Sequence, residues 1–402
     1  MKFNKWTLGL AAVGAVSLAS AARADETKMS QVQTALSDTT ISGYVDFAAT
    51  WRPGTDQNAS TGGALGANIP AYAFAKNDGF SLNAVDVALD KPMDESPWAA
   101  GYHVELMTGA DAVPGNNNPI GSALGNGGVV TLRQAYLALR TPLGNSGIDW
   151  KVGVFDTIIG YESSSSPLDP NYTRSYGYSI EPTTHTGVLG TYKINDVVSF
   201  SAGIANTIND DTVANFSDNG TPVYESQKTY MGAVALTAPD SAGWLKGATL
   251  NAGVVNGVDS NASGAGSQTS WYLGATLPTP NNALKVGASF DYLDLHNSLG
   301  NAWVAGLYGS FQINDKASFN LRGEYLKDDV GIYGANVVAG RDAAEELTAT
   351  LQYNLWANVI SRLEFRWDHV EHGLAFGTSN ASAGAPTKSN DFLIALNLIY
   401  QF

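Results

Sequence analysis

The sequence predicts an all-β protein that closes as an antiparallel barrel of about 16 strands. The strongest observation is the end of the chain, where every second residue from 392 to 402 is apolar or aromatic. A period of two places these side chains on one face of a strand. The second observation is that similar segments recur along the chain, separated by short turns and long loops in alternation. A barrel whose strands each carry an apolar outer face is predicted to cross a membrane.

Each predicted strand rests on alternation between apolar and polar residues. In the first strand Phe47 lies on the face opposite Asp46, and in the fifteenth Phe365 lies opposite Arg366. Such alternation keeps charges away from lipid, where an Arg or Lys at mid-bilayer costs about 2–4 kcal/mol. The predicted segments are, in order, 39–51, 81–91, 99–107, 130–141, 148–155, 186–194, 197–206, 229–238, 245–255, 270–277, 284–293, 302–313, 317–327, 347–355, 359–370 and 392–402.

The start of the chain has the layout of a secretory signal peptide. Lys2 and Lys5 precede an apolar run, and small residues at Ala22 and Ala24 mark a cleavage site. A retained amino-terminal anchor is the alternative, and the apolar run is short for a bilayer span. We therefore predict a signal peptide at 1–24, a short periplasmic tail at 25–38 and the barrel at 39–402. The chain is predicted to reside in the cell outer membrane.

Composition excludes several classes of function. The chain has no cysteine, which removes disulfide frameworks and thiolate metal sites. Its formal net charge of −15 argues against nucleic acid, which requires basic clusters. No catalytic residues, no metal ligands and no cofactor are predicted, because no histidine has a marked nucleophile or a third ligand beside it. The chain is therefore not predicted to be an enzyme.

The number of strands carries functional content, because 16 to 18 strands leave an aqueous channel whereas eight leave none. The predicted inner face is polar and charged, and such a lining needs water to solvate it. Passive diffusion of small polar solutes and ions follows from a water-filled lumen. The predicted wall residues of this pore are Asp46, Asp86, Glu105, Arg322, Arg362 and Arg366.

The third long loop, residues 156–185, is the predicted selectivity element. We expect it to fold into the lumen with its acids opposite the basic wall residues. Opposed charges at a constriction would set up a transverse field that filters ions. The alternative is a loop that packs outward with solvated charges. The loop residues predicted to form the constriction are Glu162, Asp169, Arg174 and Glu181.

Four segments resemble the family described as "Putative beta-barrel porin-2, OmpL-like", from Gram-negative envelopes. They read LRQAYLAL at 132–139, KVGVFDTIIGYE at 151–162, NYTRSYGYSIEPTTHTGVLGTY at 171–192 and SFSAGIANT at 199–207. The ending Tyr400-Gln401-Phe402 is similar to the terminal signal that the barrel-assembly machinery recognises. The resemblance implies an outer-membrane porin and no particular solute. By analogy with general porins of 16 strands, a homotrimer is expected.

Other readings of the barrel remain open at the level of sequence. A structural or adhesive barrel would work through its long external loops, and an outer-membrane hydrolase would use a histidine such as His103 beside Glu105. The excess of acid favours a mild cation preference, although the charge count includes loops far from the lumen. The expected partners are outer-membrane lipid, the barrel-assembly machinery and diffusing solutes, with no nucleic acid.

Overall fold

A computed structural model describes residues 38–54, 78–112, 118–119, 130–144, 146–206, 208, 227–258, 267–296, 300–329, 342–378 and 386–402. The predicted signal peptide and nearly all of the predicted periplasmic tail lie outside these ranges. The long strands are β1 Thr40–Trp51, β2 Gly79–Lys91, β3 Ala100–Thr108, β4 Val130–Thr141, β5 Ile148–Asp156, β6 Thr184–Lys193, β7 Val198–Ala205, β8 Thr229–Thr237, β9 Thr249–Val258, β10 Ser267–Pro278, β11 Leu284–Asp294, β12 Asn301–Gln312, β13 Ala317–Asp328, β14 Asp342–Trp356, β15 Val359–Val370 and β16 Asn390–Gln401.

These strands form one closed antiparallel sheet. Each strand pairs with its neighbours in sequence, and β1 pairs with both β2 and β16, which closes the barrel. The closing register places Val45 opposite Tyr400 and Phe47 opposite Leu398. The predicted closed barrel of 16 strands is confirmed.

Smaller elements lie in the connections. The two-residue strand Asn118–Pro119 pairs with β4, and Phe376–Thr378 pairs with Pro386–Lys388 in a separate hairpin. In the part of the chain that the structure describes, two 3₁₀ helices span Ser166–Leu168 and Asp240–Leu245, and one α-helix, α1, spans Tyr176–Ile180. Among the described residues, no helix is long and apolar enough to span a bilayer. The sequence predicts long loops at one end of the barrel and short turns at the other. The structure is less regular, because the connection 295–300 at the long-loop end is shorter than the turn 238–248 at the short-turn end.

Strand ends differ from the prediction mainly at β14 and β9. Strand β14 begins at Asp342 rather than at 347, because Ala344 pairs with Val370 and Glu346 with Asp368 in a register that continues without a shift as far as Asn354. The run of two alanines and two glutamates hides the apolar alternation there. Strand β9 begins at Thr249 rather than at 245, because a 3₁₀ helix occupies the preceding turn.

The two faces of the sheet differ in polarity as the alternation predicts. On β15, Leu363 and Phe365 are exposed, whereas Arg362, Glu364 and Arg366 are buried on the inner face. Large apolar side chains are exposed around the outer surface, as at Leu307, which is 69% exposed. A belt of this kind faces lipid rather than water in a membrane barrel.

The inner face is itself divided into two kinds of wall. Apolar side chains on β6–β10 pack together around Leu189, Met231 and Val255. Charged side chains on β13–β15 form the other wall, and their guanidinium and carboxylate groups are buried. This division positions the loop that connects β5 to β6.

Candidate pore constriction

The third loop, residues 157–183 between β5 and β6, is compact in its own right. Gly160 has a φ of +115°, a backbone conformation that side chains with a Cβ rarely adopt, so the chain can turn sharply after β5. Ser175 caps α1 by accepting a hydrogen bond from the Tyr178 backbone N–H at 3.0 Å. Glu181 ends the helix and is followed by a proline, which cannot continue it.

Arg322 on β13 joins the loop to the wall. Its Nη1 donates to Glu162 Oε1 at 2.7 Å and to the Thr173 carbonyl oxygen at 2.7 Å. Its Nε donates to Glu346 Oε2 on β14 at 2.9 Å. The guanidinium is fully buried, so these partners replace the water that its charge would otherwise hold.

Two further arginines on β15 hold the backbone of the loop. Arg362 Nη2 donates to the carbonyl oxygens of Ser166 at 3.0 Å and Asp169 at 2.5 Å. Arg366 Nη1 donates to the Arg174 carbonyl oxygen at 2.6 Å, and its Nε donates to Asp368 Oδ2 at 2.8 Å. Fixed donors on the wall therefore determine where loop carbonyl groups lie.

Carboxylates on the same wall bind the N–H groups of the loop. Glu364 accepts from the backbone N–H groups of Tyr172 at 2.5 Å and Thr173 at 2.9 Å. Glu324 accepts from the Tyr176 N–H at 2.6 Å, at the start of α1. The wall thus provides donors for loop carbonyls and acceptors for loop amides, and it fixes the loop at both kinds of backbone group.

Elsewhere the loop packs mainly through apolar and aromatic side chains. Ile158 and Ile159 join the apolar cluster of β6–β10. The Tyr161 ring stacks on that of Tyr308 with centroids 4.0 Å apart, and its hydroxyl lies 2.9 Å from Thr276 Oγ1. The Tyr172 hydroxyl donates to Asn83 Oδ1 on β2 at 3.2 Å. The loop therefore contacts inward-facing side chains over most of the wall.

A second charged cluster lies on β2–β5. Arg133 Nη2 donates to Asp156 Oδ1 at 2.8 Å, and its Nε lies 3.5 Å from Glu105 Oε1. His103 lies between Asp90 and Glu105, with ring nitrogens 3.3 and 3.4 Å from their carboxylate oxygens. Alternation alone places Arg133 on the outer face, since its neighbour Gln134 faces inward. A register shift between β3 and β4 falls at Arg133, as in a β-bulge, and turns its side chain inward.

The predicted site residues fall into three places. Glu162, Asp169, Arg174, Arg322, Arg362 and Arg366 meet at the β13–β15 wall. Asp46, Asp86 and Glu105 lie on β1–β3, and Glu181 lies towards β11, beside Asp291. Of the loop acids, Glu162 pairs with a wall arginine, whereas Asp169 pairs at 3.1 Å with Arg174 of its own loop. The arginines Arg362 and Arg366 bind loop carbonyls instead of the loop acids that the sequence suggested.

Burial changes the acidity of the loop carboxyl groups. It raises the pKa of Asp169 to about 7, although the Arg174 guanidinium acts in the opposite direction. Burial also raises the pKa of Glu181 well above its ordinary value, and the neighbouring Asp291 charge raises it further. Within the described ranges, no group of three or more His, Asp or Glu side chains could hold a metal ion.

The end of the chain is fixed to the first strand. The Phe402 N–H donates to the Gly43 carbonyl oxygen at 3.0 Å, and the Gly43 N–H donates back at 3.1 Å. Tyr400 is exposed on the outer face, as the alternation predicts. The role of Tyr400 and Phe402 as an assembly signal stays a prediction.

Solved structures of outer-membrane proteins share this fold. An anion-selective porin from Comamonas acidovorans matches with a TM-score of 0.58 and 10% identity, over 90% of this chain and 99% of that one. Salmonella typhi OmpF in complex with daunomycin matches with a TM-score of 0.58 and 12% identity, over 90% and 97%. OmpT, an outer-membrane protein of Vibrio cholerae, matches with a TM-score of 0.55 and 14% identity, over 90% and 97%. At these identities the similarity establishes the fold alone.

A comparison with curated proteins found no match. The family model described as "Putative beta-barrel porin-2, OmpL-like" matches residues 38–402, nearly the whole chain. The match covers all 16 strands and the third loop. The chain belongs to this family of outer-membrane β-barrel porins.

Proposed function

We propose that the protein is a water-filled channel for passive diffusion of small polar solutes and ions, with residues 157–183 as its constriction. The observation that carries the proposal is the docking of this loop on Arg322, Arg362, Arg366 and the neighbouring carboxylates. A loop held by directional bonds to the inner wall narrows the lumen. Such a constriction selects solutes by size and charge.

The proposed channel prefers cations. The wall arginines Arg322 and Arg366 are already paired with carboxylates. Among the described groups, Asp46, Asp86 and Asp291 each keep a buried carboxylate oxygen without a hydrogen-bond donor, whereas Arg362 is the one wall arginine that keeps a guanidinium nitrogen without an acceptor. The carboxylates that remain give the lumen a negative potential, which favours the entry of cations.

Planar-bilayer recordings of the refolded protein test this function. Stepwise openings of stable size are expected, and a salt gradient should give a reversal potential with the sign of a cation-selective pore. A reversal potential of the opposite sign would contradict the cation preference while leaving the channel intact. A correctly folded barrel that shows no conductance would contradict the proposed channel function.

A structural barrel acting through its external loops is the second candidate. The observation that favours it is the contact of the third loop with β6–β10, with β13–β15 and with β2, which would suit a sealed lumen. A correctly folded barrel that shows no conductance would support this candidate. A hydrolase is less well supported, since the polar partners of His103 are carboxylates of the β2–β5 charged cluster.

We also propose a homotrimer, exported by cleavage after Ala24 and inserted by the barrel-assembly machinery. The trimer rests on analogy with OmpT of Vibrio cholerae, which has been solved in a trimer form. Mass measurement of the detergent-solubilised protein tests the trimer, and amino-terminal sequencing of the membrane form tests the cleavage. A monomer mass, or a mature chain that begins elsewhere, would contradict the respective part.

A further inference from the structure

Two carboxyl groups meet where the end of α1 approaches β11. Glu181 follows α1 on the third loop, and its carboxyl group is within hydrogen-bonding reach of that of Asp291 on β11. Asp291 is only 2% exposed, and neither of its oxygens has a hydrogen-bond donor among the described groups. Two ionised carboxylates are both acceptors, so a hydrogen bond between them requires a proton.

The neighbouring groups add to the negative charge. Glu162 on the loop and Glu324 on β13 are the other acids that act on Glu181, while Tyr161 and Tyr272 are the neighbouring phenols. Arg322 on β13 donates its bonds to Glu162, Glu346 and loop oxygens. A second full negative charge at the pair would therefore lack a counter-charge.

The backbone of α1 lies against the strand member of this pair, Asp291. A Cβ atom placed on Gly177 would lie 2.7 Å from Asp291 Oδ2, so a side chain there would displace the carboxyl group. Any change in the charge or position of Asp291 is therefore transmitted to α1 and to the part of the loop that follows it. The close approach of a glycine explains how a strand carboxyl and a loop carboxyl can meet.

We propose that Glu181 and Asp291 share one proton, and that this proton latches the third loop to β11. Loss of the proton leaves two repelling carboxylates, which releases the α1 end of the loop and widens the channel. The conductance test of this latch rests on the proposed channel function. The proton-dependent docking of the loop does not depend on conduction and can be measured separately.

The direction of the pH dependence follows from the raised pKa of Glu181. A group whose pKa is higher in the docked state binds its proton more tightly there, so docking is strongest below the ordinary pKa of glutamate, about 4.3. Docking weakens as pH rises from that value through the raised pKa. Each unit by which docking raises the pKa changes the docking equilibrium by about tenfold.

The test compares the wild type with Glu181→Gln and Asp291→Asn over pH 4–8 in planar bilayers. Wild-type conductance is expected to rise with pH. In each variant the amide N–H can donate to the remaining carboxylate at any pH, so conductance should stay near the wild-type level of low pH. Glu95→Gln, on an exposed turn residue, should retain the wild-type pH profile as the matched control.

Hydrogen exchange of residues 157–183, corrected for the intrinsic effect of pH, provides a second readout for the same variants. Wild-type protection should fall as pH rises, and both variants should keep it. A conducting wild type with a flat pH profile and constant loop protection would overturn the latch while leaving the channel standing. A folded wild type that does not conduct would contradict the proposed channel function. The pH dependence of hydrogen exchange in the loop would then be the test of the latch. If calcium chloride at pH 8 restored the low-pH state, the pair would hold a metal ion and the proton latch would be wrong.

Discussion

The third loop is held by different forces on two sides of the barrel. On β13–β15, buried arginines and carboxylates bind its backbone through directional, charge-assisted hydrogen bonds. On β6–β10, Ile158 and Ile159 pack against aliphatic side chains. The charged wall determines the position of the loop, whereas the apolar wall contributes burial that tolerates small displacements. The two sides should therefore respond differently to mutation, salt and pH.

The largest effect is expected from Arg322→Ala. This change leaves Glu162 and Glu346 buried without their counter-charge, and breaking a buried pair in this way costs about 3–5 kcal/mol. We expect the loop to detach and single-channel conductance to increase. Urea unfolding in lipid vesicles measures the stability loss. Lys246→Ala, at an exposed turn, is the control, and equal stability of the two variants would contradict the account.

A loss of about 2–4 kcal/mol is expected for Ile159→Ala on the apolar side, as for other buried isoleucines. Ile159 is 5% exposed and packs in the β6–β10 cluster. Because no charge is removed, the loss should be the same at low and high salt. A strong salt dependence in the unfolding curves would show that the two sides do not differ as described.

Glu364→Gln should cost about 1–3 kcal/mol, because an amide has one acceptor oxygen where the carboxylate has two. Glu364 now accepts from the N–H groups of Tyr172 and Thr173 and from the Thr350 hydroxyl. The loop residues on either side of Tyr172 should exchange their amide hydrogens faster. Unchanged exchange at these residues would mean that Glu364 does not hold the loop.

The smallest effect is expected from Asp86→Asn, which lies outside both docking walls. Asp86 is 3% exposed, so its carboxyl group changes the interaction with a passing ion by at most about 1 kcal/mol. The reversal potential under a salt gradient should move towards zero without a change in stability. An increase in cation preference would contradict the assignment of Asp86 to the pore wall.

The barrel is the part that the sequence could predict. Strand β15 is found with the predicted bounds, 359–370, because its apolar and charged residues alternate without interruption. The predicted segment for β14 begins too late, at 347, because Ala343 and Ala344 give no contrast in polarity between the two faces. Alternation is a local property, so it yields strands and faces but not contacts across the lumen.

The contacts of the loop join residues far apart in the sequence. The sequence predicts that the loop meets the basic wall, but it does not predict which groups form the contacts. The sequence suggested that loop acids would face Arg362 and Arg366, but those arginines bind loop carbonyl groups, which every residue possesses. Arg133 was missed because a bulge reverses its face, and strict alternation contains no signal for a bulge. The Glu181–Asp291 contact joins residues from two distant elements and leaves no local pattern.

Cross-linking of the loop to the charged wall tests the central claim most directly. The Asn171 side chain donates to Thr350 Oγ1 at 2.7 Å, and the chain has no cysteine of its own. In the double variant Asn171→Cys and Thr350→Cys, a short bifunctional thiol reagent should join the two residues, and the cross-linked barrel should still conduct. Asn171→Cys with Ser199→Cys, on the inner face of β7, should not be joined. Efficient joining of the control pair, or failure of the first pair in a folded barrel, would contradict the docking of the third loop on β13–β15.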